Sequence, residues 1–405
     1  MMITAQRSLD DIFNTFLENK KIFRNKESLT ERYTPETIPH RDNEIHQLAT
    51  IFAPSLRLEK PSNVLVFGKT GTGKTLSVNH VLTFMSQKAA LQGIPVSIVY
   101  VNCKMKKVAD TEYRLIAEFA RQFGVSVPPT GLPTDEVYNL FYESVDSKKQ
   151  VIVLILDEID HLISRAGDDI LYNLTRINSS LKNALVSFVG ISNDLRFTEH
   201  LDARIKSGLG EEEIIFSPYN ALQLRDILKE RALQSFYEGV IEDGVLAKCA
   251  AYAAREHGDA RRALDLLRVA GELSEREASP KILELHIDLA DEKVEKDRLY
   301  EAVIRQPKQS QLVTYAIMAY YEEQDTPAFT GDIYSIYKGL CESLGIKPLT
   351  QRRISDLITE LDMLGIINAK VISHGRYGRK REITLSLPPN TFSKLQLLLK
   401  NELES

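Results

Sequence analysis

The segment Gly68-Lys69-Thr70-Gly71-Thr72-Gly73-Lys74-Thr75 follows directly on the apolar run Val64-Leu65-Val66-Phe67. It fits the pattern G-x-x-x-x-G-K-[ST], in which a buried strand turns into a helix around a phosphate. Glycine lets the backbone curl tightly enough to aim several N–H groups at one anion. A helix predicted over residues 74–85 adds the positive end of its dipole at the same point. Gly71, Thr72 and Gly73 then cradle phosphate, Lys74 reaches the outer phosphates, and Thr75 offers its hydroxyl to Mg²⁺. The chain is thereby expected to hold a nucleoside triphosphate on an α/β core.

A second run, Val151-Ile152-Val153-Leu154-Ile155-Leu156, is apolar without alternation, as a parallel strand buried on both faces requires. It ends in Asp157-Glu158, and the carboxyl end of such a strand is where open α/β sheets bind ligands. Asp157 is suited to hold Mg²⁺ through water, and Glu158 to orient or deprotonate an attacking water. Solvated acids at a strand end would read the same in isolation; the neighbouring loop favours the chemistry. Further strands are predicted at 96–101 and 185–191, the second ending in Ser192-Asn193-Asp194. Asn193 either positions water against a terminal phosphate or is an ordinary turn asparagine.

With 405 residues the chain has room for two or three domains. No apolar run approaches the ~18 residues of a membrane span, and Met1-Met2-Ile3-Thr4 lacks a secretory pattern. Cys103, Cys249 and Cys341 are widely spaced and read as reduced packing residues of a cytoplasmic protein. A formal net charge of -5 means that any nucleic-acid contact must come from local basic segments.

The first 30 residues interleave Lys20, Lys21, Arg24 and Lys26 with Phe13, Phe16 and Phe23, either a basic arm on DNA or a helix docked by its aromatic side. Helices are predicted over 43–52, 111–122 and 168–180, with Pro128-Pro129-Thr130-Gly131 as a break. From 218 to about 290 the pattern is purely helical, over 220–236, 244–257 and a third helix opened by Gly258-Asp259-Ala260-Arg261-Arg262-Ala263-Leu264. Asp259 can cap that helix. Arg261 then projects from its first turn, reaching terminal phosphates if the bundle closes as a lid, and is otherwise a surface residue.

The last third reads as three helices, 311–323, 330–344 and 350–364, followed by a hairpin of strands 368–373 and 381–387. The hairpin tip is His374-Gly375-Arg376-Tyr377-Gly378-Arg379-Lys380-Arg381. Three helices plus a basic wing is the layout of a winged helix-turn-helix. Gln351, Arg352, Arg353 and Ser355 would enter a major groove, where Arg and Gln match guanine and adenine edges. Arg376, Arg379, Lys380 and Arg381 would grip phosphates or an adjacent minor groove, or form a solvated hairpin in a domain that binds protein.

These motifs together resemble the archaeal replication initiators related to the largest origin-recognition subunit and its cell-division-control partner, members of the AAA+ ATPases. The resemblance runs from about Thr34 to Leu387. It rests on the loop at 68–75, Leu156-Asp157-Glu158-Ile159-Asp160, Gly190-Ile191-Ser192-Asn193 and the Gly258–Leu264 segment. It implies an N-terminal arm (1–33), an AAA+ P-loop core (34–217), a helical lid (218–300) and a winged helix (301–405). Asn193 matches the first sensor and Arg261 the second; Tyr219 and Arg231 match positions lining the nucleotide between core and lid. Arg204 resembles the arginine finger offered to a neighbouring subunit; Lys206-Ser207-Gly208-Leu209, which follows, has no second Arg, and a finger belonging there would not be Arg204. An initiator-specific, DNA-contacting helix should fall within 104–121. The implied cofactors are ATP or ADP with Mg²⁺, used as a slow switch. The implied partners are double-stranded origin DNA, replicative helicase subunits and a paralogous initiator, with no membrane, in the cytoplasm at the nucleoid. Two rivals remain on sequence: a motor of the branch-migration helicase type, and a nucleotide-gated winged-helix transcription regulator.

Overall fold

A computed structural model of the chain describes residues 17, 21–31, 33–105, 111–128, 130–324, 326–373, 379–385 and 389–404. The unbroken apolar runs become a five-stranded parallel sheet: β1 (Val64–Gly68), β2 (Val96–Asn102), β3 (Gln150–Asp157), β4 (Ala184–Ser192) and β5 (Glu212–Phe216). Its spatial order is β2-β3-β4-β1-β5. β1 lies between β4 and β5, with Phe67 opposite Ser192 and Gly68 opposite Phe216, while Asp157 on β3 lies opposite Ile191. Loop, carboxylates and Asn193 therefore leave the sheet together at the carboxyl ends of its three central strands.

Every residue of β1 and β3 is buried, so neither strand could alternate polar and apolar positions. On one face Leu65, Phe67, Ile152, Leu154 and Leu156 pack against α3 (Glu112–Gln122), α4 (Thr134–Val145), α5 (Ile159–Ala166), α6 (Asp169–Thr175) and α7 (Ala203–Leu209). On the other, Val64, Val66, Val153 and Ile155 meet α1 (Asp42–Phe52) and α2 (Lys74–Leu91). α2 runs past residue 85 because Ala89 continues the buried stripe of Val78, Val81, Leu82 and Met85. α4 was not evident in the sequence; its buried Val137, Tyr138, Phe141 and Val145 carry the signal. The helix expected over 168–180 stops at Thr175 and gives way to a short 3₁₀ turn, Ile177–Ser179. β5 was also missed: Ile214 and Phe216 are buried, whereas Glu212, Glu213 and Ile215 are exposed, a short alternating edge strand.

Three helices follow the core: α8 (Ala221–Ser235), α9 (Val245–Arg255) and α10 (Ala260–Arg276). α8 opens with a capping box between Asn220 and Gln223. Asp259 caps α10, its carboxylate accepting from the backbone N–H groups of Arg261 and Arg262. The stretch from Lys21 to Tyr33 lies against these helices. Ile22 is buried, the Phe23 and Phe236 rings stand 4.9 Å apart, and the Ser28 and Ser235 hydroxyls share a 2.5 Å hydrogen bond. The described part of the N-terminal segment is thus docked through Phe23; Phe13, Phe16 and Lys20 lie outside the described residues.

The chain forms two compact units, Met1–Ile287 and Asp288–Ser405, the division falling inside α11 (Glu284–Ile304). The second unit continues with α12 (Lys308–Glu323), β6 (Ala328–Phe329), α13 (Thr330–Ser343), α14 (Gln351–Met363), β7 (Ile367–Ser373), β8 (Arg379–Leu385) and α15 (Pro389–Glu404). Its sheet order is β6-β8-β7. Ile333, Tyr337, Ile354, Leu357, Ile358, Leu361 and Ile383 build the core. The hairpin register corrects the sequence reading. Arg379, Lys380 and Arg381 are not at the tip but in β8, paired with Ser373, Ile372 and Val371. Residues 374–378, with Arg376, lie outside the described residues.

Candidate nucleotide site and nucleic-acid interface

Within the first unit a cavity of about 390 Å³ opens beside the glycine loop. It is lined by Gly71, Thr72, Gly73, Lys74 and Thr75, by Asp157, Glu158 and Asn193, and by Tyr219, Arg231 and Arg261. The structure thus brings together all the expected nucleotide residues except Arg204. Tyr33, Thr34, Thr37, Ile38 and Pro39 form another wall.

The loop's shape depends on glycine at two points. Gly71 and Gly73 are left-handed, φ +71° and +90°. A Cβ on Gly71 would lie 1.6 Å from Asp259 Oδ1, and one on Gly73 2.9 Å from the Tyr219 hydroxyl. Lys74 is buried, and its Nζ donates to Gly68 O (2.7 Å), Lys69 O (2.8 Å) and Asn193 Oδ1 (2.9 Å). All three acceptors are neutral. Burial accordingly lowers its pKa from 10.5 to about 8, the charge of Asp157 opposing that fall. A desolvated ammonium bonded only to neutral oxygens suits a polyanionic ligand.

Asp157 gathers donors from three directions. Thr75 Oγ1 (3.0 Å) and the Tyr100 hydroxyl (2.7 Å) donate to Oδ2, and the Glu158 N–H (2.9 Å) donates to Oδ1. Burial, with the Asp157 charge, raises the Tyr100 pKa, so Tyr100 stays a donor. A hydroxyl and a carboxylate in contact form a hard-oxygen pair suited to Mg²⁺ alongside phosphate oxygens. Glu158 is itself left-handed (φ +53°), an unusual conformation for a residue with a Cβ. Its Oε2 is buried without a hydrogen bond among the described residues, with Lys104 Nζ as an ion-pair partner at 3.4 Å and His161 Nε2 3.5 Å away. A carboxylate oxygen held this way retains capacity to accept from water.

On the lid side, Arg231 is buried. Its guanidinium lies 4.5 Å from the Tyr33 ring centroid and donates to Ser28 O at 3.3 Å. Burial lowers its pKa. Arg261 is half exposed and sits 3.5 Å from Glu31 Oε1. The lid meets the loop directly, because the Ala260 N–H donates to Gly71 O at 3.1 Å. Arg204 lies elsewhere: its side chain is 71% exposed and forks onto Asp202 at 3.1 and 3.2 Å, with the Tyr172 ring 5.6 Å away. Sequence reasoning passed over Arg41, which is 4% exposed and bonded to Thr72 O and the Tyr219 hydroxyl. The signal was only its place, immediately before a helix and after Pro39-His40.

In the second unit, Thr350 caps α14 and leaves Gln351, Arg352 and Arg353 exposed in its first turn, with Ile354 turned into the core. Arg353 lies within 3.7 Å of Asp356 and 3.4 Å of Glu360. Arg381 donates through Nη1 to Ser355 O (2.9 Å) and Thr359 Oγ1 (2.7 Å), tying β8 to the helix. Of the segment expected to hold an initiator-specific helix, 106–110 lie outside the described residues and α3 occupies 112–121.

Three family profiles match the chain: an AAA domain over 57–198, a Cdc6 AAA+ ATPase-type lid domain over 225–292, and a CDC6 C-terminal winged helix domain over 301–394. The ORC1-type DNA replication protein of Thermococcus kodakarensis is 54% identical over 385 residues, covering 94% of this chain and 92% of that protein. The ORC1-type DNA replication protein 1 of Methanosarcina mazei is 52% identical over 398 residues, covering 98% and 95%. Among solved structures, the Aeropyrum pernix ORC1 protein in complex with DNA superposes with a TM-score of 0.84 at 45% identity, covering 93% of this chain and 97% of that one. Cdc6p from Pyrobaculum aerophilum shares the fold at a TM-score of 0.59 and 23% identity, covering 94% and 100%.

Proposed function

Because the chain belongs to the ORC1-type DNA replication proteins, we propose that it binds duplex DNA at replication origins under the control of a bound ATP or ADP, hydrolyses ATP slowly and helps to load the replicative helicase. The observation that carries the nucleotide half is the convergence of loop, carboxylates, Asn193, Tyr219, Arg231 and Arg261 on one cavity. When bound, Mg²⁺ would neutralise phosphate charge and polarise the bond to be cleaved.

The protein's own groups divide the remaining work. Lys74 exchanges its carbonyl acceptors for phosphate oxygens, and Thr75 and Asp157 hold the metal. Glu158 orients a water and takes its proton on the buried oxygen. Asn193, already on the Lys74 ammonium, fixes that cation and the water. Tyr219 and Arg231 line the base and ribose end. Arg261, carried by α10, reads the terminal phosphate from the lid. Arg204, exposed and outside the cavity, serves a neighbouring copy or a paralogous initiator as its finger. We assign the core to 34–217, the lid to 218–300 and the winged helix to 301–405, with 1–33 as an N-terminal arm.

The exposed first turn of α14 supports DNA reading, with Gln351, Arg352 and Arg353 placed to reach base edges and Ser355 one turn on from Gln351. Arg376, Arg379 and Lys380 bring charge to the wing. The solved complex of the Aeropyrum pernix ORC1 protein with DNA supports DNA as the partner.

Labelled ATP and duplex fragments titrated into the purified protein test the reading. Nanomolar to micromolar binding of both is expected, with preference for fragments from the organism's origins and turnover well below one per second. Fast DNA-stimulated turnover by a closed hexamer on gel filtration would favour a motor instead. Preference for promoter fragments without affinity for helicase subunits would favour a transcription regulator.

A further inference from the structure

We propose that Arg41 is a positioning residue that couples the phosphate loop to the chain entering the lid, so that a nucleotide held by the loop sets the lid. The proposal rests on the nucleotide reading of the cavity. Arg41 stands immediately before α1 and distributes one guanidinium over three separate parts of the first unit. Nε donates to Thr72 O in the loop (2.9 Å) and to the Tyr219 hydroxyl (3.0 Å). Nη2 donates to Ser217 O (2.6 Å), just past β5, and Nη1 to Glu44 Oε1 (2.7 Å). The guanidinium carbon lies 4.0 Å from the Tyr219 ring centroid and 5.2 Å from that of Phe216.

A guanidinium is planar, and its donors keep fixed angles, so these bonds cannot adjust one by one. A shift of Thr72 as the loop wraps phosphate is passed to Ser217 and Tyr219, the residues that lead into α8. The lid's last helix meets the same loop one residue away, through the Ala260 N–H on Gly71 O. The loop thus grips the lid at both its entrance and its third helix. Pairing with Glu44 alone would satisfy a buried arginine's charge. The other bonds all run to the loop or the lid entrance.

The test compares wild type, Arg41→Lys and Glu44→Gln by hydrogen exchange over residues 217–221 with and without ADP, alongside labelled-ADP affinity. Lysine keeps the charge and loses the fork. In wild type, ADP should slow exchange at 217–221 by about tenfold or more, and in Arg41→Lys by less than about threefold, with affinity weakened about tenfold. A purely structural arginine would alter exchange equally with and without ADP. If Arg41→Lys fails to fold, Glu44→Gln, which only loosens the fork, decides: it should reduce the ADP effect, and a wild-type response overturns the proposal. Wild type that binds no nucleotide overturns this proposal and the nucleotide reading together. Wild type that binds, with an unchanged ADP response in Arg41→Lys, overturns this proposal alone.

Discussion

Lys74 carries the sharpest chemical consequence of any single residue. Its pKa falls from 10.5 to about 8 through burial, so the folded protein gives up this proton at a lower pH than the unfolded chain does. That group's contribution to stability therefore grows as pH rises from about 8 towards 10.5, while a ligand that needs the ammonium binds less well. Labelled-ATP titrations should show affinity falling by up to about tenfold per pH unit above 8 in wild type and staying flat in Lys74→Arg, whose guanidinium keeps its charge. An identical profile in both would remove Lys74 from phosphate contact. The sequence made Lys74, Thr75, Asp157 and Glu158 legible because a loop pattern and an apolar strand name their residues locally. Arg41 and Tyr100 were not legible, since their partners, Tyr219 and Asp157, stand 178 and 57 residues away. Nothing in the spacing of either residue announces such a bond.

Among the elements, α10 and α14 show how helix starts are used. The Asp259 carboxylate accepts from Arg261 N at 2.8 Å and Arg262 N at 3.3 Å and sits against Gly71. Asp259→Ala should cost about 1 kcal/mol through the lost cap, read as a lower melting point. ATP turnover should fall further than in Asp259→Asn, which keeps a capping oxygen. Equal turnover in the two variants would separate the cap from Arg261's placement. In the winged unit, Arg381 is bonded to α14 at Ser355 and Thr359. Arg381→Ala should therefore destabilise the wing by about 1–2 kcal/mol, whereas Arg352→Ala should leave melting unchanged and weaken duplex binding. The reverse pattern would return Arg381 to a direct phosphate role. Buried strands and capped helices were readable from periodicity. The edge strand β5 and helix α4 were not: the first is too short to show a pattern, and the second follows a proline-broken stretch that reads as loop.

At the scale of the whole molecule, two units carry separate chemistry. Lys74→Ala should abolish nucleotide binding yet leave measurable duplex affinity through the second unit; loss of both would contradict separate sites. Each phosphate neutralised by the wing and α14 adds about 0.9 to the log–log salt slope, so Arg352→Ala should flatten that slope by about one if Arg352 meets phosphate, and leave it unchanged if it meets only a base. The doubly covered sheet and the winged helix were visible in the sequence because both are built from contiguous runs. The docking of the N-terminal stretch on the lid was one of two readings that the sequence left open, because its partners stand far along the chain. Ser28 and Ser235, which share a hydrogen bond there, are 207 residues apart. On the ribosome, the first of these serines waits for the second until the entire intervening core has emerged. A nascent chain that has made its phosphate loop and both carboxylates still lacks a finished pocket. Nucleotide retention is consequently acquired only once α8 to α10 have emerged, and a stalled fragment ending before α8 should release ATP freely.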